Sequence, residues 1–275
     1  MTPTCYRHPN RETGVSCSNC GKPICPECMT PTPVGMRCPE CASQRTKVVR
    51  NPTGTPSQFS AYPATVILIA INVVAFLAEI GSGSGGLSNA GGSVYTHYSL
   101  LGAGVSEGEW YRLVTGGFLH AGLLHIGFNM FALYIVGRVL EPAIGTPRFL
   151  ALYFASLLAG SFGALLLTGP FEPTIGASGA IFGLFAATGI LARGRGMNTL
   201  ANEIGFLIVI NLLFTFSIPH ISIGGHLGGL VGGAICALAI IAGDRGKLGP
   251  QRQPVELLVM LAVAVVSVVG ALAAA

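Results

Sequence analysis

Ser178 and His226 are the residues of this chain best placed by type to do covalent chemistry. Ser178 lies in Gly176-Ala177-Ser178-Gly179 at the start of an apolar segment, and His226 lies in Gly224-Gly225-His226-Leu227-Gly228-Gly229 within another. A hydroxyl and an imidazole are costly inside a bilayer and mark function by default. Together they suffice for nucleophilic acyl transfer. The imidazole takes the hydroxyl proton, the oxygen attacks a carbonyl, and the imidazolium then protonates the leaving amine. His125 and Asn129 are four residues apart, so they share one helix face. Asn129 suits a donor to a developing oxyanion, with His125 beside it and His120 close by in sequence. Neither apolar segment holds an acid: Glu172 lies just before Ser178, and Glu141 and Glu203 fall toward the other ends of their segments. The expectation is a Ser–His dyad without an orienting carboxylate. No His-Glu-x-x-His occurs, so a zinc protease of that type is excluded.

A second constellation opens the chain. Cys5-x2-His8, Cys17-x2-Cys20, Cys25-x2-Cys28 and Cys38-x2-Cys41 form four short pairs, eight ligands in all. Each pair can grip one metal ion, and Zn2+ favours sulfur and nitrogen ligands in closed tetrahedral sites. Two structural Zn2+ ions are therefore expected, with no open coordination position and no metal for catalysis. Disulfides are the alternative, and a cytoplasmic location disfavours them. With few apolar residues of its own, this head should fold only on metal binding. Its spacing resembles B-box-type cross-braced fingers, which would join the first pair to the third and the second to the fourth. Sequential pairing stays open. Cys236, in an apolar segment, reads as a small packing residue.

The elements that must position these groups are membrane helices. The 275 residues are 51% hydrophobic and 9% charged, with 39 glycines; a soluble domain carries roughly a quarter charged residues. Apolar runs near the ~20 residues a bilayer requires fall at 63–80, 115–139, 148–168, 178–193, 200–218, 224–242 and 255–274. The second would open at His120. The fourth is short and begins at Ser178, whose backbone N–H groups would then be free at a helix N-terminus. Gly225, Gly229 and Gly233 form a ladder of small residues, as do Gly179, Gly183 and Ala187. Such ladders let two membrane helices meet backbone to backbone, which would bring the hydroxyl toward the imidazole.

Arg138, Arg148, Arg193, Arg195, Arg245, Lys247 and Arg252 fall in alternate connections, and the opposite connections hold only Arg112. This bias predicts a cell-membrane protein with a cytoplasmic N-terminus, seven spans and an outside C-terminus. The formal charge of +4 resides where topology puts it, so nucleic acid is not an expected partner. No basic stretch followed by an apolar core opens the chain, and no cleaved leader is expected. Three parts result: a metal-binding head over 1–41, a flexible Pro/Thr/Ser-rich linker over 42–61, and a membrane domain over 62–275. Between the first two spans, about 81–112 form a long outer loop. It starts Gly-Ser-rich and ends Glu109-Trp110-Tyr111-Arg112-Leu113, where Trp and Tyr suit the membrane interface.

In the order and separation of Glu109-Trp-Tyr-Arg-Leu113, His120-x4-His125-x3-Asn129, Gly176-Ala-Ser-Gly179 and the glycine-rich segment at His226, residues 62–275 resemble the rhomboid intramembrane serine proteases. The resemblance implies an all-α polytopic fold, with a six-helix core here followed by a seventh helix. It implies hydrolysis of peptide bonds in transmembrane segments of other membrane proteins. Ser178 would be the nucleophile and His226 the base, with Asn129, His125 and the Ser178 N–H holding the oxyanion and Gly176 admitting the substrate. Two departures stand out. Tyr111 occupies a position where the family usually has Trp. Phe182 stands where some members have Tyr, and its ring can stack on His226 without offering a hydroxyl. Neither removes a catalytic group, unlike the serine-lacking inactive relatives. A non-catalytic membrane-client adaptor is the alternative, and the finger would serve either by contacting a protein partner. A ubiquitin-ligase role for the finger rests on the cross-brace alone. A metal transporter using His120, His125 and His226 would need acidic or His residues along a pathway, and the inner halves of the spans offer few.

Overall fold

The computed structural model describes residues 2–32, 35–43, 61–83, 87, 91–218 and 221–275. Residues 44–60, which make up most of the expected linker, lie outside these, as do 84–86 and 88–90 of the Gly-Ser-rich loop opening. The chain divides into two compact units, residues 1–55 and 56–275.

The first unit is built on its cysteines. Its β-strands β1 (Thr30–Thr32) and β2 (Gly35–Arg37) pair antiparallel with Thr30 opposite Arg37, and the short helix α1 (Pro39–Ser43) follows. Apart from Ile24, its buried apolar residues are the cysteines Cys5, Cys17, Cys25, Cys28, Cys38 and Cys41. A core with one aliphatic side chain is small for offsetting chain entropy, and the cysteines make up the rest of the described interior.

The second unit is a helical bundle. After α2 (Pro63–Gly81) come three short helices, α3 (Gly92–Tyr98), α4 (Gly102–Ser106) and α5 (Arg112–Thr115). Six longer helices complete it: α6 (Leu123–Ile144), α7 (Thr146–Leu167), α8 (Ser178–Gly194), α9 (Asn198–Ser217), α10 (Ile223–Asp244) and α11 (Arg252–Ala274). Among the described residues, six helices are long and apolar enough to cross a membrane: α2, α6, α7, α9, α10 and α11. Helix α8, with 17 residues, is shorter. This is a multi-pass membrane fold, a six-helix core with an added C-terminal helix.

One expected boundary is corrected. The second span does not run over 115–139 and does not open at His120. Residues 116–118 form a 3-10 turn, and α6 starts at Leu123 after Gly122 at φ 154°. A positive φ at glycine breaks the helical path there, so His120 precedes the helix.

Packing follows the glycines. Gly225, Gly229 and Gly233 of α10 face Gly179 and Gly183 of α8, while Gly224 and Gly228 face Gly163 and Ala159 of α7. A methyl carbon on Gly179 would stand 3.1 Å from the Gly225 carbonyl oxygen, and one on Gly229 would overlap the Gly179 carbonyl. Helix α10 is therefore wedged backbone to backbone between α7 and α8.

Buried acids close the bundle elsewhere. Glu141 accepts the Ala64 N–H (3.0 Å), the Thr65 N–H (2.9 Å) and the hydroxyls of Thr65 and Thr146 (2.8 Å each), capping α2 with a fully satisfied carboxylate. Glu256 of α11 pairs with Arg148 of α7 at 2.7 Å and with Arg252 at 3.0 Å. The loop between α2 and α6 is ordered by Arg112, which bonds Glu109 at 2.6 Å and the carbonyls of Thr96 and Ser99. That guanidinium holds the Glu109 carboxyl below the usual carboxylate range. Trp110 is 65% exposed beside it.

Candidate active site

Ser178 is the first residue of α8. The segment before it is pinned by main-chain bonds. Leu100 and Thr174 form a two-bond bridge (3.0 and 2.8 Å), Ala103 N–H donates to the Pro170 carbonyl at 2.9 Å, and Gly176 N–H donates to the Gly116 carbonyl at 2.9 Å. Gly176 sits at φ 128°, a conformation that favours glycine. The first N–H groups of α8 have no carbonyl one turn behind them, so they remain donors at the positive end of the helix.

His226 lies in the first turn of α10, whose start Ser222 caps through its hydroxyl, accepting the Gly225 N–H at 3.0 Å. The ring is 7% exposed and stacks on Phe182, with centroids 4.1 Å apart and planes 18° from parallel. Phe182 is one turn after Ser178 on α8, so the ring that backs the imidazole rises from the helix that carries the hydroxyl. Ser178 and His226 flank the point where Gly179 meets the Gly225 carbonyl.

His125 comes to the same region from α6. A methyl carbon built on Gly176 would lie 3.0 Å from His125 Nε2 and 3.6 Å from Ser178 Oγ. His125 Nδ1 accepts the Ala121 N–H at 3.2 Å, so the neutral ring carries its proton on Nε2, the nitrogen beside Gly176. That places an N–H donor beside Gly176, two residues before the serine. The Asn129 carboxamide bonds within its own helix, donating to the His125 carbonyl at 3.1 Å. The buried His120 ring packs edge-on against His125 at 5.0 Å, and its backbone N–H donates to Glu79 at 2.9 Å.

The structure thus gathers Ser178, Gly176 and His125 at one point, and Phe182 with His226 at another on the same helix start. It forms no hydrogen bond between Ser178 and His226 among the described residues. Catalytic hydrogen bonds are often long before substrate binds. The partner His226 does have is one that sequence reasoning missed: Thr215 Oγ1, 2.6 Å from Nδ1. A threonine inside an apolar span carries no signal, because its hydroxyl usually bonds back to its own helix. Glu79 was also missed as the acid behind the His120 turn.

The head holds two ligand groups, Cys5-His8-Cys25-Cys28 and Cys17-Cys20-Cys38-Cys41. The first pair joins the third and the second joins the fourth, so the finger is cross-braced. Zn–S bonds near ~2.3 Å and Zn–N bonds near ~2.0–2.1 Å in a tetrahedron require S···S near ~3.8 Å and S···N near ~3.5 Å. His8 Nδ1 lies 3.4 Å from Cys25 Sγ, 3.5 Å from Cys28 Sγ and 3.8 Å from Cys5 Sγ, and Cys20 and Cys38 sulfurs are 3.8 Å apart. All the cysteines are free thiols. The Cys38 N–H and the Asn19 side chain each donate to a ligand sulfur at 3.3 Å, which steadies a thiolate. These residues fit two metal ions of the kind Zn2+ represents.

Comparison with known proteins points the same way. The Rhomboid domain family matches residues 107–243. Over 203 residues the chain is 36% identical to the rhomboid protease GluP of Bacillus subtilis, an alignment covering 72% of this chain and 39% of that protein. It is 36% identical over 152 residues to YdcA of the same bacterium, named for the same family, covering 53% of this chain and 73% of that protein. An Arabidopsis thaliana relative named as inactive, RHOMBOID-like protein 8, is 31% identical over 128 residues, covering 45% of this chain and 36% of that protein. The chain thus spans well under half the length of GluP and nearly three quarters of YdcA.

Proposed function

The chain belongs to the rhomboid family, and from that premise we propose that it is a serine endopeptidase that cleaves transmembrane segments of other proteins within the membrane. Ser178 is the nucleophile and His226 Nε2 the base that takes its proton. Attack on the scissile carbonyl produces a tetrahedral oxyanion. The His125 Nε2–H, the Ser178 backbone N–H and the Asn129 amide are its donors. Collapse breaks the C–N bond, and His226 returns the proton to the leaving amine. Water then hydrolyses the acyl-enzyme by the same route in reverse, with His120, His125 and Asn129 as the polar groups that favour its entry. The substrate must unwind first, because a helical peptide bond is shielded by its own backbone.

One arrangement carries this reading: Phe182 ties the helix that begins with Ser178 to the His226 ring, while His125 Nε2 stands against Gly176, two residues before that serine. The Arg and Lys residues at 138, 148, 193, 195, 245, 247 and 252 support a cytoplasmic N-terminus and an outside C-terminus. The two finger sites hold structural Zn2+, and the finger contacts a protein partner that recruits or regulates. A non-catalytic adaptor of the same fold would have no need of the Ser178 hydroxyl.

Purified protein with a panel of single-span substrates and a fluorophosphonate probe separates the two. Wild type should cleave and label at Ser178. Ser178→Ala should do neither, with cleavage down by about 10⁴-fold or more. Equal cleavage by both proteins would overturn the protease reading.

A further inference from the structure

His226 has one fixed hydrogen-bond partner, and its direction can be read from the protons. Thr215 Oγ1 stands 2.7 Å from the Asn211 carbonyl oxygen, one turn back on α9, and 2.6 Å from His226 Nδ1. A hydroxyl has one proton to give. A carbonyl has none, so the Thr215 proton lies on the bond to Asn211. Were it turned to Nδ1 instead, two oxygens 2.7 Å apart would face each other with no proton between them. The proton between Thr215 and His226 must therefore come from the imidazole.

We infer that Thr215 is a positioning residue for His226: it holds the neutral imidazole as the Nδ1–H tautomer and leaves Nε2 as the basic nitrogen. The chain of bonds runs His226 Nδ1–H to Thr215 Oγ1, then Thr215 O–H to the Asn211 carbonyl. It takes the place of the orienting carboxylate that the apolar segments lack. When Nε2 accepts the serine proton, the imidazolium keeps the same bond, now charge-assisted and stronger. Burial supports the assignment. Thr215 is 2% exposed, and the buried residues of α9 are only Ala201, Ile204 and Thr215, so the helix turns this hydroxyl inward while most of its surface faces out. Among the described residues no acidic side chain bonds the ring, and Phe182, stacked on it, offers only a π face. The kinetic consequence rests on the protease reading above, whereas the tautomer does not.

Two measurements test this. In protein labelled with ¹⁵N in its histidine rings, the shifts of His226 report which nitrogen bears the proton. Wild type and Thr215→Ser should show Nδ1–H, and Thr215→Val should lose that preference. In cleavage assays, Thr215→Val should lower kcat by about ten- to a hundredfold, the loss of one hydrogen bond to a charged ring. KM and thermal unfolding should stay near wild type, and Thr215→Ser should restore the rate. An Nε2–H tautomer in the wild type overturns the inference without any variant having to fold. So does a Thr215→Val enzyme of unchanged kcat. If wild type and Ser178→Ala cleave alike, the protease reading falls, and the ¹⁵N result still decides the role of Thr215.

Discussion

At the scale of single residues, the most exacting position is Gly176. Its φ of 128° disfavours any side chain, and a methyl group there would stand 3.0 Å from the His125 ring. Strain of this kind costs on the order of 1–3 kcal/mol. Gly176→Ala should therefore shift His125, lower kcat/KM by about tenfold or more, and lower the unfolding temperature by about 2–4 °C for each kcal/mol of that strain. Wild-type kcat/KM in that variant would show that the close approach of His125 is not needed. The polar groups themselves were legible in the sequence, because Ser178, His226, His125 and Asn129 stand out in apolar surroundings. The bonds between them were not. Which nitrogen of a histidine is protonated depends on neighbours from other helices, and here those neighbours are the Ala121 backbone and Thr215. Neither has a distinctive residue type or spacing.

At the scale of elements, the glycine faces of α10 decide whether a site exists. A side chain on Gly229 meets the Gly179 carbonyl, which belongs to the helix start next to Ser178. Gly229→Val should force α8 and α10 apart, costing about 3 kcal/mol or more, at or beyond the upper end of the usual cost of overfilling a close-packed core. Gly127 provides the contrast. It is also helical, but nothing lies within 4 Å of a methyl carbon built there. Gly127→Ala should be neutral or stabilising by up to about 1 kcal/mol. Thermal unfolding in detergent compares the two, and equal stability would refute the wedge. The spacing of the glycines made this interface readable in advance. The α6 start was not, because apolar residues continue through 113–119 and hide the turn at Gly116–Phe118. The three short helices between α2 and α6 were hidden for a related reason: Arg112 bonds backbone carbonyls among them, which leave no mark in sequence.

At the scale of the whole molecule, two units with different sources of stability share one chain. Residues 1–43 have ligands in place of a core, and the bundle has its own packed interior. A strong chelator, or Cys25→Ser, should release metal and unfold the head. Cleavage of a simple single-span substrate in detergent should persist within about twofold. Metal analysis with circular dichroism reads the first effect and the cleavage assay the second; loss of all cleavage would make the head part of the catalytic fold. The eight ligands were visible as four short pairs, but their pairing was not. Spacing along the chain is compatible with either arrangement, and the placement of His8 beside Cys25 and Cys28 and of Cys20 beside Cys38 distinguishes them.

The bridge between Leu100 and Thr174 carries a different implication. Both of its bonds run from main chain to main chain, so neither depends on which side chains stand there. Leu100 is buried in a small core cluster, so the freedom lies at Thr174, four residues before the serine, where new residues can bring new preferences for incoming peptides while the backbone keeps its course. Proline is the one replacement that this freedom does not cover, since it removes the amide proton on which either bond depends.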